Sequence, residues 1–176
     1  MRFEEESFQG NRNPFIDHPQ WAACVFENNC SAFHINAGLN DAWYNPATDG
    51  QGVFITVFPD LGLLSLAWFT YDTELPAEDA QAKLGDPGHR WLTAIGPVSG
   101  NRAVLSIDIT SGGLFDTQSD VQHTEPEGSD GTIMLTFENC NSAILEYDII
   151  SIHRQGSVPL QRVANDNIAL CEALDQ

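Results

Sequence analysis

From Phe33 onward apolar residues recur at every second position, a period that builds strands and not helices. In GVFITVFP, Val53, Ile55 and Val57 fall on one face, with Phe54, Thr56 and Phe58 on the other. Asp60-Leu61-Gly62 supplies a turn and LLSLAWFTYD a return strand, so the two runs read as a hairpin. RWLTAIGPVSG and RAVLSIDITSG form a second pair across Ser99-Gly100-Asn101. In the latter strand Ala103, Leu105, Ile107 and Ile109 share a face opposite Ser106, Asp108 and Thr110, the alternation of a strand with one wet side. TIMLTF and ILEYDII make a third hairpin around the turn ENCNSA, and SVPLQRV is a final short strand before a C-terminal tail. The expected fold is all-β, an antiparallel meander of about seven strands joined by short turns or exposed loops. The spacing is compatible with closure into either a barrel or a sandwich.

Two polar stretches interrupt the pattern. TELPAEDAQAKLGDPGHR is an acidic loop with room for one short helical turn, and Phe115 to Asp130 has almost no core-forming residues. Residues 1–32 differ from everything that follows. In HPQWAACVF, Trp21, Val25 and Phe26 are spaced for one helical face, Asp17 is placed to cap the helix, and Pro19 is tolerated in its first turn. ENNCS then reads as a loop. The chain thus divides into a short N-terminal segment with one helix, 1–32, and an all-β domain, 33–176.

Charge narrows the function. The 25 Asp and Glu outnumber 7 Lys and Arg, giving a formal charge of −18, and Lys83 is the single lysine. A field of that sign repels phosphate backbones, whose binding depends on Lys and Arg displacing condensed counterions, so direct nucleic-acid binding is not expected. No run is long and apolar enough to span a bilayer as a helix. MRFEEESFQG carries acids where a signal peptide needs basic and apolar regions, so an exported form would have lost its leader or belong to a longer precursor. Cys24, Cys30, Cys140 and Cys171 make no CxxC pair and have no histidine at zinc-like spacing, so no metal site is expected of them. Two disulfides, and with them an extracellular or periplasmic location, are the favoured reading over four buried thiols in a cytosolic protein. Of the three possible connectivities, Cys24–Cys30 as a local loop and Cys140–Cys171 as a clamp on the C-terminal tail fit the layout best.

The run Gly10-Asn11-Arg12-Asn13-Pro14-Phe15-Ile16-Asp17-His18-Pro19 resembles the closing segment of the secreted bacterial endonuclease I family. The resemblance implies a disulfide-bearing, metal-dependent nuclease whose catalytic histidine and metal ligands lie upstream of this segment. It assigns no catalytic residue to any position here. NDAWYNPATDGQGVFITVFPD, LAWFTYD, LGDPGHRWLTAIGP and the late ENCNS turn are similar to a domain at the C-termini of exported proteins of marine and related bacteria, which implies an appended module of a secreted protein. WYN before a glycine-bounded hairpin also resembles the first strands of avidin-type barrels.

Several residue groups merit weighing as sites. Trp43, Tyr44, Trp68, Tyr71 and Trp91 would stack on sugar rings or line an apolar pocket if exposed on one face, and otherwise are core. His89 and Arg90, with Asp86, sit in a Pro-Gly turn of the kind that carries function at barrel mouths. Asn13, Asp17 and His18 have metal-binding or acid–base chemistry, although helix capping accounts for Asp17. Asp72, Glu74, Glu78 and Asp79 are dense enough for calcium but lack EF-hand spacing, so solvated loop charge explains them better. No Walker loop, GxSxG, HExxH or dinucleotide fingerprint occurs, and no cofactor is expected. The functional expectation is a non-catalytic accessory module of a secreted nuclease, serving surface attachment, export or stabilisation, with the parent nuclease domain as its partner in a longer precursor. The alternatives are a barrel that binds a glycan or small apolar ligand, a structural or assembly domain, and a hydrolase whose site the linear order does not reveal.

Overall fold

The computed structural model describes residues 33–80, 89–123 and 129–175. The expected N-terminal helix, Cys24 and Cys30, the Asn13, Asp17 and His18 group and Asp86 lie outside them. The strands are β1 Asp41–Tyr44, β2 Gly52–Phe58, β3 Leu63–Tyr71, β4 His89–Ser99, β5 Arg102–Asp108, β6 Thr110–Ser111, β7 Gln122–His123, β8 Gly131–Asn139, β9 Ser142–Ile149 and β10 Arg154–Arg162. A 3₁₀ turn, Ala37–Leu39, precedes β1, and a helix, α1 Ile168–Leu174, follows β10.

Eight strands close into an antiparallel barrel in the order β1-β10-β9-β8-β5-β4-β3-β2, and β6 and β7 form a separate ribbon. The barrel resolves the choice that spacing left open. Closure depends on β1, where Trp43 stands in register with Val53 of β2 on one side and Arg162 of β10 on the other. Against the expected seven or so, the barrel gains this strand, and the short ribbon of β6 and β7 lies outside it. The final strand also runs longer than SVPLQRV, beginning at Arg154, and the tail ends in a helix.

The period-two pattern places the core. Val53, Ile55, Val57, Leu64, Leu66, Ala103, Leu105, Ile107, Ile133, Leu135 and Leu145 all point inward and are buried. On the outer wall Arg102, Ser106, Thr132, Glu146 and Asp148 are exposed, as the other parity requires. Gly62 (φ 62°) closes the 3₁₀ turn Pro59–Leu61 between β2 and β3 in a left-handed conformation that suits glycine.

The two ends of the barrel differ. At one end stand the β2–β3, β4–β5 and β8–β9 turns, and α1 is tied to the last of these by the disulfide Cys140–Cys171. The helix seats against the 3₁₀ turn so closely that a Cβ on Gly38 would lie 2.3 Å from the Cα of Cys171. Asn36 Nδ2 donates to the Cys171 carbonyl at 3.2 Å, and the His34 amide donates to Asp175 Oδ1 at 2.7 Å. At the other end lie the connections after β1, β3, β5 and β9, the first three of them longer. There buried Asp130 accepts from both the amide and the hydroxyl of Ser151, fastening the start of β8 to the β9–β10 turn.

Candidate functional site

An eight-stranded barrel has an interior that side chains just fill, or that holds one small ligand. This barrel is filled at the end under α1 and hollow at the other. Trp43 and Phe137 meet edge to face at 5.5 Å in the filled end, and Trp43 Nε1 donates to the Leu39 carbonyl at 3.1 Å. The guanidinium of Arg162 lies 4.7 Å from the centre of the Trp43 ring. It donates to Asp41 Oδ2 at 2.8 Å and to the carbonyls of Gly38 and Cys140, so a buried cation has a partner in every direction of its fork.

Toward the open end the interior holds a cavity of about 480 Å³. Val53, Leu92, Leu145, Val158 and Leu160 make its apolar walls, and Trp68 and Tyr147 contribute the aromatic surface. The two rings meet edge to face with centroids 5.3 Å apart. Gly156 pairs with Tyr147 across the β9–β10 ladder, and a Cβ there would sit 2.6 Å from Tyr147 Oη, so the glycine makes room for the phenol. Near the mouth the lining becomes polar, with Asn45, Thr48, Gln51 and Thr73 on loops, Thr70 at the end of β3 and Arg154 at the start of β10.

The short β1 shapes access to this space. It pairs only with Gln161 and Arg162 of β10, while β10 from Arg154 to Gln161 pairs with β9. The wall is therefore open beside the first part of β10, where Asn45 and Thr48 of the β1–β2 loop face Ser157 and Val158 among the cavity residues. Pro159 lies in this edge region, where a missing amide donor is tolerated.

The residues singled out in the sequence separate in space. Trp68 and Tyr71 line the cavity. The Tyr71 hydroxyl sits over Gly50, where an added Cβ would approach to 1.9 Å. Trp43 is fully buried in the filled end, because its parity on β1 points it inward just below the level of the cavity. Tyr44 has the opposite parity and accepts from Gln161 Nε2 at 3.2 Å on the outside. Trp91 is also on the outer wall, 54% exposed and in register with Phe69, which in turn meets Phe54 edge to face at 5.7 Å. Arg90 pairs with Asp72 at the end of β3 and does not line the cavity. His89 begins β4. Asp72 is occupied by Arg90 and the Thr73 amide, and no group of three metal-binding side chains forms among the described residues.

Tyr147 and Arg154, which sequence reasoning passed over, both line the cavity, Tyr147 in its aromatic wall and Arg154 at its mouth. Each carries a signal in its parity. Tyr147 alternates with Leu145 and Ile149, and Arg154 with Val158 and Leu160, so both belong to the inner face. Comparison with family models, curated proteins and solved structures finds no match to this chain.

Proposed function

We propose that residues 33–175 form a binding module that holds one small, mainly apolar ligand in the open end of the barrel. The observation that carries this reading is the half-filled interior. Close-packed interiors seldom leave voids larger than a water molecule, yet here about 480 Å³ stays open beside an aromatic pair with polar groups at its mouth. Trp68, named from sequence as a ligand-stacking residue, lies in that wall.

Filling the cavity tests the reading without weakening the fold. Val158→Phe adds a ring to an inward position that borders open space. It is expected to lower the affinity for small aromatic probes by at least about tenfold while stability holds or rises. Calorimetric titration with a panel of naphthyl and indolyl compounds, beside urea unfolding, measures both. Absence of saturable binding to the unaltered protein, or equal binding by Val158→Phe, would remove the cavity as the functional site.

The same module is proposed to serve as a non-catalytic accessory to an exported nuclease. The likeness of Gly10–Pro19 to the end of the endonuclease I family supports that partner, and the Cys140–Cys171 disulfide supports an oxidising compartment. Incubated with supercoiled plasmid and Mg²⁺ or Ca²⁺, this chain is expected to leave the DNA uncut. Nicking that EDTA abolishes would overturn the non-catalytic assignment.

A further inference from the structure

The polar groups at the cavity mouth are biased toward donation. Asn45 Oδ1 accepts the Ala47 amide at 3.0 Å, which fixes the orientation of the carboxamide and leaves Nδ2 to donate. Gln51 Oε1 accepts from the Thr70 hydroxyl at 2.6 Å, which leaves its Nε2 to donate as well. The Thr48 hydroxyl is turned to its own loop, on the Asn45 carbonyl. Arg154 supplies a cation to the lining, and no carboxylate lines the cavity among the described residues. Three acids adjacent in the chain to lining residues are engaged, Asp49 by the Gly50 amide, Asp72 by Arg90 and Asp148 by Gln155 Nε2. In a chain of formal charge −18, a cavity mouth whose described residues bring one guanidinium, two free amide donors and no acid is the opposite of the average surface.

Resting on the cavity as the binding site, we propose that its ligand is an amphipathic monocarboxylate. Its apolar body, aromatic or aliphatic, lies against Trp68 and Tyr147. Its carboxylate meets the guanidinium of Arg154, a fork matched to two oxygens. A ligand bearing several phosphates is a poorer fit, because a single guanidinium would face multiple charges while the remainder of the protein repels them. A neutral hydrocarbon is also poorer, since it would strip water from Arg154 and return no acceptor.

The experiment is calorimetric titration of the whole chain with 2-naphthoate and with 2-naphthamide, which share a body and differ in charge. Naphthoate is expected to bind at least about tenfold more tightly. Arg154→Gln should erase that preference, read as the ratio of the two affinities, while the urea midpoint stays put because an exposed side chain at the start of β10 contributes little to folding. Arg102→Gln, at the far end of the barrel, removes the same charge and should keep the preference, which separates contact from net charge. Equal binding of the two probes to the unaltered protein would overturn the monocarboxylate inference and leave the cavity reading standing. A preference that survives Arg154→Gln, or that Arg102→Gln removes equally, would overturn the role of Arg154. Failure of both probes to bind would overturn both readings.

Discussion

Replacing Arg162 with Met is expected to destabilise the barrel by about 3–5 kcal/mol, seen as a lower urea midpoint with little change in slope. Methionine matches the arginine stem in bulk but donates nothing. It would leave the Asp41 carboxylate, the Gly38 carbonyl and the Cys140 carbonyl without the guanidinium that now satisfies them. An uncompensated polar group in low dielectric forfeits its hydration and receives nothing in return. Two of the three acceptors are backbone carbonyls that no substitution removes. Deleting Asp41 alongside Arg162 should therefore recover only part of the loss. Arg162→Lys keeps the charge but not the fork, so it reaches Asp41 or a carbonyl and not all three, and roughly half the loss is expected. If Arg162→Met unfolds within about 0.5 kcal/mol of the unaltered protein, the closed end is not held in this way.

Arg162 also explains why the barrel was harder to read than its strands. The long hairpins were legible because Val53, Ile55 and Val57, or Ala103, Leu105 and Ile107, repeat one parity over several residues. What turns that meander into a closed barrel is β1, four residues long, carrying one large inward side chain, Trp43. Four residues are too few for a periodic signal to rise above chance, and an arginine at the inward end of β10 looks like a strand terminus meeting water. The closing contact is thus made by residues that locally resemble a loop and a surface. The C-terminal helix was obscured in a similar way. Ile168–Leu174 has no side-chain cap, and Cys171 is its buried residue, so its pattern is that of a tail until the disulfide gives it a surface to rest on.

The cavity was legible only in halves. Trp68 and Tyr71 stand out because they occur together in LAWFTYD, at the end of a strand that leads into a long loop. Tyr147 and Arg154 sit far along the chain, and only the register Gly156↔Tyr147 and the ring contact with Trp68 bring them into the same space. Parity fixes which side of the wall each faces, but not its height along the barrel axis. For that reason Trp43 and Trp68, both inward aromatics, could not be sorted in advance into plug and pocket. Trp91 illustrates the converse, since its parity relative to Leu92 and Ala94 already places it outside.

Removing the Cys140–Cys171 bond tests whether the two ends are independent. The cysteines are separated by 31 positions, and the chain-entropy account assigns such a crosslink about 3–4 kcal/mol. A helix of seven residues is too short to persist without tertiary support. In Cys140→Ala/Cys171→Ala, α1 is therefore expected to lose amide-exchange protection first, with its seat on Gly38 and the bonds it receives from Asn36 and, at Asp175, from His34 opened. The midpoint of unfolding should fall by the full amount. Probe affinity at a temperature where the barrel stays folded should not, because Trp68, Tyr147 and Arg154 belong to the opposite end. A stable variant with undiminished protection of 168–174 would show that packing alone holds the helix. Loss of probe binding together with loss of α1 would mean that the plug sets the shape of the cavity, and that filled and hollow ends form one cooperative unit rather than two.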